Sequence, residues 1–352
     1  MVDVLMPIHL DRWRNAISTE LREIAVRVPD VSFFSFSGPE TAEDAELGSG
    51  LWERENMSIA SIGDVASRRF DVVHHASSTW RSIGAVAAVR LRSRRVRHIY
   101  TSSVERFSWH PHVRAEDLAV RSAHIVCAVS EAVAASIKKH YGRTVDAVIP
   151  NAVDTSFFCQ LAVRPETVSR LELHRPFAVW VGTLERRKRP DVFLRLADQM
   201  PDWQFVMLGG AGPGSEGADV VRRLAGASNV RWLGLQPRGV VRDVLAAAAL
   251  MVFPSETEGL PLSVLEAQAM GLPVVAQPSS SMPEIIRHDE TGWLLPPHDL
   301  ARWEQVIRDV GDWDPSMRQR FSEAARSAVE RRFGWDANAG AYRELYLEGS
   351  RS

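Results

Sequence analysis

The chain has 352 residues, of which 45% are hydrophobic and 24% are charged, and its 42 Lys and Arg residues nearly balance 44 Asp and Glu residues. At the usual size of roughly 100 to 200 residues per domain, this length predicts two domains. The balanced charge excludes a polycationic protein and gives no indication of nucleic acid as a partner. Cys127 and Cys159, the two cysteines, are too few for a disulfide framework or a thiolate zinc site.

The apolar segments and the cysteine content predict where the protein resides. The first residues of the sequence lack the basic region and the apolar stretch of a signal peptide. The longest apolar run, at residues 244–253, is far shorter than the roughly 18 to 20 residues that a membrane-spanning helix needs. With few cysteines in addition, the sequence predicts a cytoplasmic protein.

Short apolar runs alternate with helical patterns in the first half of the chain. This alternation predicts βα units laid into a parallel sheet. The candidate strands lie at residues 32–36, 71–75, 97–101, 125–129 and 145–149, and the candidate helices at 13–26, 80–91 and 131–140.

The second half has the same rhythm with clearer boundaries, and it predicts a second doubly wound domain. A segment without clear periodicity, at 151–176, is the predicted linker, and the crevice between two such domains is the expected ligand site. The candidate strands lie at 177–181, 204–208, 230–233, 250–253 and 273–276, and the candidate helices at 190–200, 216–224, 240–248 and 263–270.

Two carboxylates, Glu258 and Glu266, lie eight positions apart around a predicted helix start. Free backbone N–H groups and the positive end of the helix dipole can bind phosphate oxygens there, and carboxylates can accept hydrogen bonds from sugar hydroxyls. The spacing therefore suits a phosphorylated sugar. Two structural alternatives remain open: Ser263 and Glu266 form a capping-box pattern, and Glu258 can be a solvated loop acid.

A basic run, Arg186 to Arg189, immediately precedes Pro190, which is a plausible first residue of a helix. Cations at a helix start oppose the helix dipole, at a cost of about 0.3 to 1 kcal/mol each. An anion bound at this place would remove that cost, and a diphosphate leaving group is the expected anion. The alternative is a solvated charged face.

Glycine-rich and histidine-containing segments give weaker signals. Gly209 and Gly210 follow a predicted strand and permit close approach of a ligand. A G-x-G-x-x-G pattern at 212–217 begins too far beyond the strand for a dinucleotide fingerprint. The Asp-x-Asp pattern at 312–314 is more typical of helix capping, and the histidines lack partners at ligand spacing, so no metal site is predicted.

A second basic stretch, at residues 90–97, contains five arginines. It suggests peripheral contact with an anionic membrane on its inner face, since each cation near such a surface contributes about 1 kcal/mol. A solvated helix end is the alternative.

Taken together, these motifs resemble the family-4 retaining glycosyltransferases of the GT-B fold. The pair Glu258 and Glu266 matches the E-x7-E motif of that family. Other matching segments follow in the family's order, and they lie at residues 71–74, 128–132, 149–154, 181–185, 253–255, 274–276 and 333–335.

The resemblance implies an α/β protein with two Rossmann-like doubly wound parallel-sheet domains that face each other across a cleft. Residues 1–160 would bind the acceptor, residues 161–334 the nucleotide-sugar donor, and residues 335–352 would form a closing helix that packs back on the first domain. The reaction would transfer a sugar to a hydroxyl acceptor with retention at the anomeric carbon, without a metal ion or cofactor.

The resemblance also assigns roles to residues of the donor half. Lys188 and Arg187 would neutralise the diphosphate, Glu266 would hold the ribose, and Glu258 would act at the sugar together with the backbone of 260–262. The full set of donor-side residues implied in addition to Lys188, Arg187 and Glu258 is Gly182, Thr183, Gly209, Gly210, Leu233, Gly234, Leu260, Pro261, Leu262, Ser263 and Glu266.

The chain departs from the family pattern at three places. Ser103 stands where the family has a histidine, Thr183 replaces an arginine, and the early Gly-Gly loop is absent near His9. His9 and Ser103 are the acceptor-side candidates. Ser103 and Thr183 motivate a second hypothesis, a non-catalytic partner protein that binds nucleotide-sugars. A dinucleotide oxidoreductase ranks third, because no acidic ribose partner follows a proper fingerprint.

Overall fold

The structure is a computed structural model, and it describes residues 2–7, 23–35, 57–59, 67–76, 80–93, 95–103, 105, 113–174, 176–210, 220 and 228–348. The chain divides into two compact units. The first contains residues 1–152 and 335–352, and the second contains residues 153–334. The predicted boundary at residues 160 and 161 falls inside the second unit of this division. The described residues contain no helix with the length and hydropathy of a membrane span.

The first unit is built on a parallel sheet, which has seven strands in the described part of the chain, in the order β3-β2-β1-β4-β5-β6-β7. The order reverses between β1 and β4, as in a doubly wound fold. The strands are β1 (Val2–Met6), β2 (Val31–Ser35), β3 (Met57–Ile59), β4 (Val72–His75), β5 (Arg97–Ser102), β6 (Ile125–Ala128) and β7 (Ala147–Val148). The helices with defined bounds are α1 (Trp80–Arg92), α2 (Val113–Ser122), α3 (Glu131–Tyr141) and, near the end of the chain, α11 (Trp335–Leu347).

The core of the first unit includes the carboxyl-terminal helix. Strand residues such as Val4 and Ile99 are fully buried, as expected for a parallel sheet covered on both faces. Trp335, Tyr342 and Tyr346 of α11 pack into the same cluster. Helix α11 therefore belongs structurally to the first unit, although some 180 residues of the second unit precede it.

Buried histidines connect β4 to its neighbours. His74 lies between α11 and β5, with Nδ1 2.7 Å from Tyr346 Oη and Nε2 2.9 Å from Thr101 Oγ1. His75 Nε2 lies 2.8 Å from His98 Nε2. Burial lowers the pKa of both His74 and His98 to about 3, with a further lowering by neighbouring charges. His74 and His98 are therefore neutral at neutral pH and hold β4 to its neighbours.

Acidification is expected to destabilise the first unit through these histidines. A group with a lowered pKa in the folded state contributes full stability above its unfolded pKa of 6.5, and this contribution declines as the pH falls toward about 3. Within that window, each of His74 and His98 should lower the free energy of unfolding by about 1.4 kcal/mol for every unit by which the pH falls. Urea unfolding at several pH values between about pH 7 and about pH 5 measures this slope. Hydrogen exchange of the β4 and β5 amides then tests whether the loss of stability involves the first unit.

The variant His74→Gln isolates one of these protons, because glutamine can still hydrogen-bond but does not titrate. The slope of its unfolding free energy against pH reports the number of protons taken up on unfolding. We expect this number to be about one lower than in the wild type. An unchanged slope would contradict the assignment.

The second unit is built on a six-stranded parallel sheet with the order β10-β9-β8-β11-β12-β13 in the described residues. Its strands are β8 (Phe177–Val181), β9 (Gln204–Leu208), β10 (Val230–Trp232), β11 (Leu250–Phe253), β12 (Val274–Ala276) and β13 (Gly292–Leu294). Its helices with defined bounds are α4 (Pro165–Arg170), α5 (Pro190–Gln199), α6 (Arg238–Ala247), α7 (Leu262–Ala269), α8 (Met282–Ile285), α9 (Leu300–Gly311) and α10 (Pro315–Arg332).

The segment predicted as a linker, 151–176, is folded and carries α4. Phe158 is fully buried, and Arg326 of α10 donates hydrogen bonds to the carbonyls of Phe158 and Thr155. The segment shows little periodicity because these single contacts, rather than a continuous apolar face, hold it to the second unit. Most of the predicted helices at 216–224 and at 13–26 lies outside the described residues.

Candidate active site

The strand order of the second sheet reverses at β8 and β11, which are adjacent and parallel. In a doubly wound sheet, ligands bind beyond the carboxyl ends of the strands at such a reversal. The loop after β8 carries the basic run, and the loop after β11 carries Glu258. The topology therefore brings together two motifs that are about 70 residues apart in the sequence.

Glu258 lies between two cations of the basic run. Its Oε1 is 2.6 Å from Lys188 Nζ, and its Oε2 is 3.3 Å from Arg187 Nη1. The side chains of Glu258 and Lys188 are only 9% and 11% exposed. Glu258 is therefore not a solvated loop acid, and Arg187 and Lys188 do not form a solvated charged face.

The rest of the basic run has different partners. Arg189 has a left-handed backbone conformation, and its side chain pairs with Asp191 and Glu256. Asp191 lies in the first turn of α5, where a carboxylate is favourable to the helix dipole. The pairing of Arg189 thus offsets the cost of a cation at this helix start.

The buried charges shift each other's ionisation. Burial raises the pKa of Glu258, but the charges of Lys188 and Arg187 outweigh this effect and hold the pKa below its ordinary value. Burial likewise lowers the pKa of Arg187, while Glu258 and Glu185 raise it to a net value above the ordinary one. Glu258 is therefore charged at neutral pH and pairs with both Lys188 and Arg187, and Arg187 pairs with Glu185 as well.

A hydrogen-bond framework fixes the Glu258 loop. Ser255 Oγ donates to Glu258 Oε1 at 2.7 Å, and the Glu258 N–H donates to Ser280 Oγ at 3.2 Å. Gln277, which follows the neighbouring strand β12, donates to the Ser255 carbonyl. Sequence reasoning did not select Gln277 or Ser280; their positions just beyond the carboxyl end of β12 are the signal that could have found them.

Glu266 lies in the second turn of α7 and pairs with Arg238 Nη2 at 3.3 Å. The capping-box alternative is wrong: α7 begins at Leu262 after Pro261, so that Ser263 is already inside the helix, and no side-chain capping bond forms. Burial raises the pKa of Glu266, and Arg238 only partly offsets this rise. Sequence reasoning missed Arg238, since nothing in the sequence relates it to a residue 28 positions away.

Leu260 and Pro261 precede α7, and Leu262 and Ser263 are its first two residues. Leu260 and Pro261 are buried, whereas Leu262 and Ser263 are half-buried. The first N–H groups of a helix have no acceptor within the helix. The anion site predicted at this helix start is compatible with this arrangement and stays a prediction.

Three glycines pack the strand ends closely together. Gly182 N–H donates to the Leu208 carbonyl, and Gly209 N–H donates to Gly234 O at 2.7 Å. Gly209 has φ of +130°, and a Cβ there would lie 1.7 Å from Gly182 O. Gly210, by contrast, has open space where a Cβ would lie. The backbone of residues 182, 209 and 234 thus converges at the carboxyl edge of the second sheet.

The substitution Gly209→Ala is expected to lower the unfolding free energy of the second unit by about 3 kcal/mol or more, because the backbone must move and the new residue has a strained φ. Gly210→Ala is the matched control and should change it by less than about 1 kcal/mol. Thermal unfolding of both variants checks this prediction, and equal stability of the two would contradict it.

The remaining donor-side candidates lie around these glycines. Thr183 Oγ1 donates to Glu185 Oε1 at 2.6 Å, and Glu185 Oε2 accepts from Arg187 Nε at 2.7 Å. Thr183 therefore contributes to the orientation of Arg187. Leu233 N–H donates to Met207 O, which continues the pairing of β10 with β9 up to Gly234.

The acceptor-side candidates belong to the first unit. Ser103 is half-buried and follows β5 directly, at the carboxyl edge of the first sheet. His9 lies outside the described residues. Among the described residues, no group of His, Cys, Asp and Glu has the arrangement of a metal site. Asp314 instead caps α10, where it accepts a hydrogen bond from the Met317 N–H.

Comparison with known proteins tests the resemblance. The family described as Glycosyl transferases group 1 matches residues 166–328, and Glycosyltransferase Family 4 matches residues 49–157. The chain belongs to glycosyltransferase family 4.

Two curated relatives show how far this similarity extends. The chain is 31% identical over 244 residues to a D-inositol 3-phosphate glycosyltransferase of Streptomyces scabiei, with 64% of this chain and 54% of that protein aligned. It is 33% identical over 216 residues to the enzyme of that name from Corynebacterium jeikeium, which covers 57% of this chain and 51% of that protein.

The chain thus spans about half the length of these curated relatives. Solved structures match more of it. HepE of Anabaena, crystallised with UDP and glucose, superposes with a TM-score of 0.81 at 18% identity over 99% of this chain and all of the other. Sucrose-phosphate synthase of Thermosynechococcus elongatus gives 0.77 at 19% identity, over 99% and 98% of the two chains. The family-4 chain has the GT-B fold that the resemblance implies.

Proposed function

We propose that this family-4 chain is a retaining glycosyltransferase that moves a sugar from a nucleotide-sugar to a hydroxyl acceptor without a metal ion. The observation that carries the proposal is the buried group of Lys188, Arg187 and Glu258 at the strand-order reversal of the second sheet. The two cations, which Glu258 and Glu185 compensate in this structure, supply the positive charge that a departing diphosphate needs.

The geometry supports a specific division of tasks. Lys188 and Arg187 stabilise negative charge on the diphosphate as the glycosidic bond breaks, and the first N–H groups of α7 add to this field. Before the donor binds, Glu258 compensates the two cations. When the phosphates take over that role, the Glu258 carboxylate becomes available to accept hydrogen bonds from sugar hydroxyls. Retention then proceeds by attack on the same face that the diphosphate leaves, and the leaving phosphate takes the acceptor proton.

The donor we propose first is a uridine diphosphate sugar. HepE, which shares the fold, was crystallised with UDP, with UDP and glucose, and with UDP-glucose. Glu266, held by Arg238, accepts hydrogen bonds from the ribose hydroxyls in this proposal. Residues 182–183, 209–210 and 233–234 line the nucleotide, and the first unit binds the acceptor with Ser103 and His9 as candidate contacts. The acceptor class remains a glycan, a glycolipid or a natural product.

A panel of uridine, guanosine and adenosine diphosphate sugars tests this proposal. We expect release of the nucleoside diphosphate from one of them, slowly with water alone and faster with an acceptor. Inositol 3-phosphate is one acceptor to include, because the curated relatives carry its name. Failure to bind or consume any donor would contradict the proposal.

The departures at Ser103 and Thr183 motivate the second candidate, a non-catalytic protein that binds nucleotide-sugars. That candidate requires nucleotide affinity without sugar release in the presence of any acceptor. Turnover above background would exclude it. We favour the enzyme, because the cationic cluster supplies the larger energetic contribution and a hydroxyl can replace an imidazole hydrogen bond.

A further inference from the structure

The outer surface of α1 and α2 in the first unit is both apolar and cationic. Trp80 and Leu91 of α1 are 58% and 88% exposed, and Leu118 of α2 is 45% exposed. Isolated exposed apolar side chains are common on protein surfaces. Leu91 and Leu118, however, line one groove between the two helices, together with Ile83 and Val86. The exposed leucines therefore belong to one continuous apolar surface.

The exposed apolar residues of α1 lie along one side of the helix. Trp80 and Leu91 are eleven positions apart, which is about three turns, so that both point to the same side at a separation of about 16 Å. Between them the small residues Gly84 and Ala87 are exposed. The result is a flat apolar stripe with a large side chain near each end.

The charge around this stripe has a single sign. Arg92 at the end of α1, Arg95 just beyond it, and Arg114 and Arg121 of α2 are exposed. Helix α1 contains no acidic residue. The acidic residues of α2, Glu116 and Asp117, are buried and half-buried. Within the described helices, the surface thus exposes arginines without exposed acids.

A hydrogen bond joins the two helices. Arg90, whose side chain lies between them, donates a hydrogen bond from Nη1 to the Ser122 carbonyl at 2.8 Å. The apolar stripe and the arginines of both helices are therefore presented together.

We propose that this surface of α1 and α2 docks on an anionic lipid bilayer. Tryptophan and leucine side chains insert at the boundary of headgroups and acyl chains, and arginines contact the anionic headgroups. A second copy of the chain is disfavoured as occupant, because a two-fold contact would place the same cationic surface against itself. The sequence suggested such contact from residues 90–97 alone; the structure adds the apolar stripe and α2.

Sedimentation of the full chain with vesicles tests this proposal. We expect binding to phosphatidylcholine vesicles that contain phosphatidylglycerol, release of the protein at high salt, and no binding to phosphatidylcholine alone. The double variant Arg92→Gln/Arg121→Gln should lower the partition coefficient about 30-fold, at about 1 kcal/mol per cation near the surface. Leu91→Ser/Leu118→Ser should lower it about tenfold through lost apolar insertion.

Matched controls come from the second unit. Leu161 is 99% exposed and Arg170 is also exposed, so that Leu161→Ser and Arg170→Gln change the same residue types away from the surface of α1 and α2. Both should leave the partition coefficient unchanged. Because all these side chains are exposed, circular dichroism should show folded proteins.

Several results would overturn the proposal: no salt-sensitive binding, equal binding to neutral vesicles, or an equal loss of binding in the controls. Self-association abolished by Leu91→Ser/Leu118→Ser, without vesicle binding, would identify a second copy as the occupant and overturn it as well. Affinity for nucleotide, measured without vesicles, should be the same in all variants. Failure of membrane docking is thereby distinguishable from failure of the proposed reaction.

Discussion

Replacement of Lys188 by methionine is expected to lower the rate of sugar release from the nucleotide-sugar by about 100- to 1000-fold, the usual effect of removing one preorganised electrostatic group. Methionine keeps a similar side-chain length and removes the charge that lies 2.6 Å from Glu258. The rate with saturating donor, measured as release of nucleoside diphosphate, checks this prediction.

The loss of Lys188 also leaves Glu258 with less compensation in a buried place, which could destabilise the fold. The double variant Lys188→Met/Glu258→Gln removes both charges and separates this effect from the loss of rate. We expect it to recover thermal stability but not activity. Arg195→Gln is the matched control, because Arg195 is a half-exposed cation on α5 that pairs with Asp191. A rate for Lys188→Met within about threefold of the wild type would contradict the proposed role.

Replacement of Glu266 by alanine is expected to weaken nucleotide binding about 100-fold. A carboxylate that accepts hydrogen bonds from ribose hydroxyls contributes about 1.5 to 3 kcal/mol per bond. Calorimetric titration with uridine diphosphate and with its 2′-deoxy analogue checks the prediction. The wild type should bind the ribose form more tightly, and Glu266→Ala should lose that preference.

Arg238 gives this prediction a pH dependence. Burial raises the pKa of Glu266 and Arg238 opposes the rise, so that the carboxylate loses its charge as the pH falls toward the raised pKa. Nucleotide affinity should therefore decline on acidification, and in Arg238→Gln the decline should begin at a higher pH. Arg231→Gln, which removes an exposed cation paired with Glu172, should follow the wild-type profile. Identical profiles for all three proteins would contradict a role of Arg238 at Glu266.

The sequence predicted best those elements whose apolar runs are continuous and bounded by turns. The bounds of β8, β9 and β11 agree with the predicted ranges, because strands buried on both faces consist almost entirely of apolar residues. Strand β13 was missed, since three residues that begin with a glycine give no periodicity. Helix α10 was expected after Asp314 but without bounds, because its buried residues are Ala325, Ala328 and Val329, which leave almost no apolar stripe.

The candidate site follows the same logic. Glu258, Lys188 and Arg187 could be predicted because each lies within a few residues of a strand end or helix start, where ligands bind in such sheets. The hydrogen-bond partners of the carboxylates could not. Arg238 meets Glu266, and Ser280 meets Glu258, only when separate elements pack together, and no sequence pattern marks these pairs. Stacking of Arg238 on Phe157 and Phe158 likewise depends on the folded segment that the sequence suggested to be a linker.

A crystal structure of the chain with the nucleoside diphosphate that binds most tightly tests the central claim most directly. The account predicts that the phosphates lie within hydrogen-bonding distance of Lys188 and Arg187 and of the first N–H groups of α7, with the ribose hydroxyls at Glu266. A nucleotide bound elsewhere, or phosphates that leave Lys188 and Glu258 paired and untouched, would contradict it.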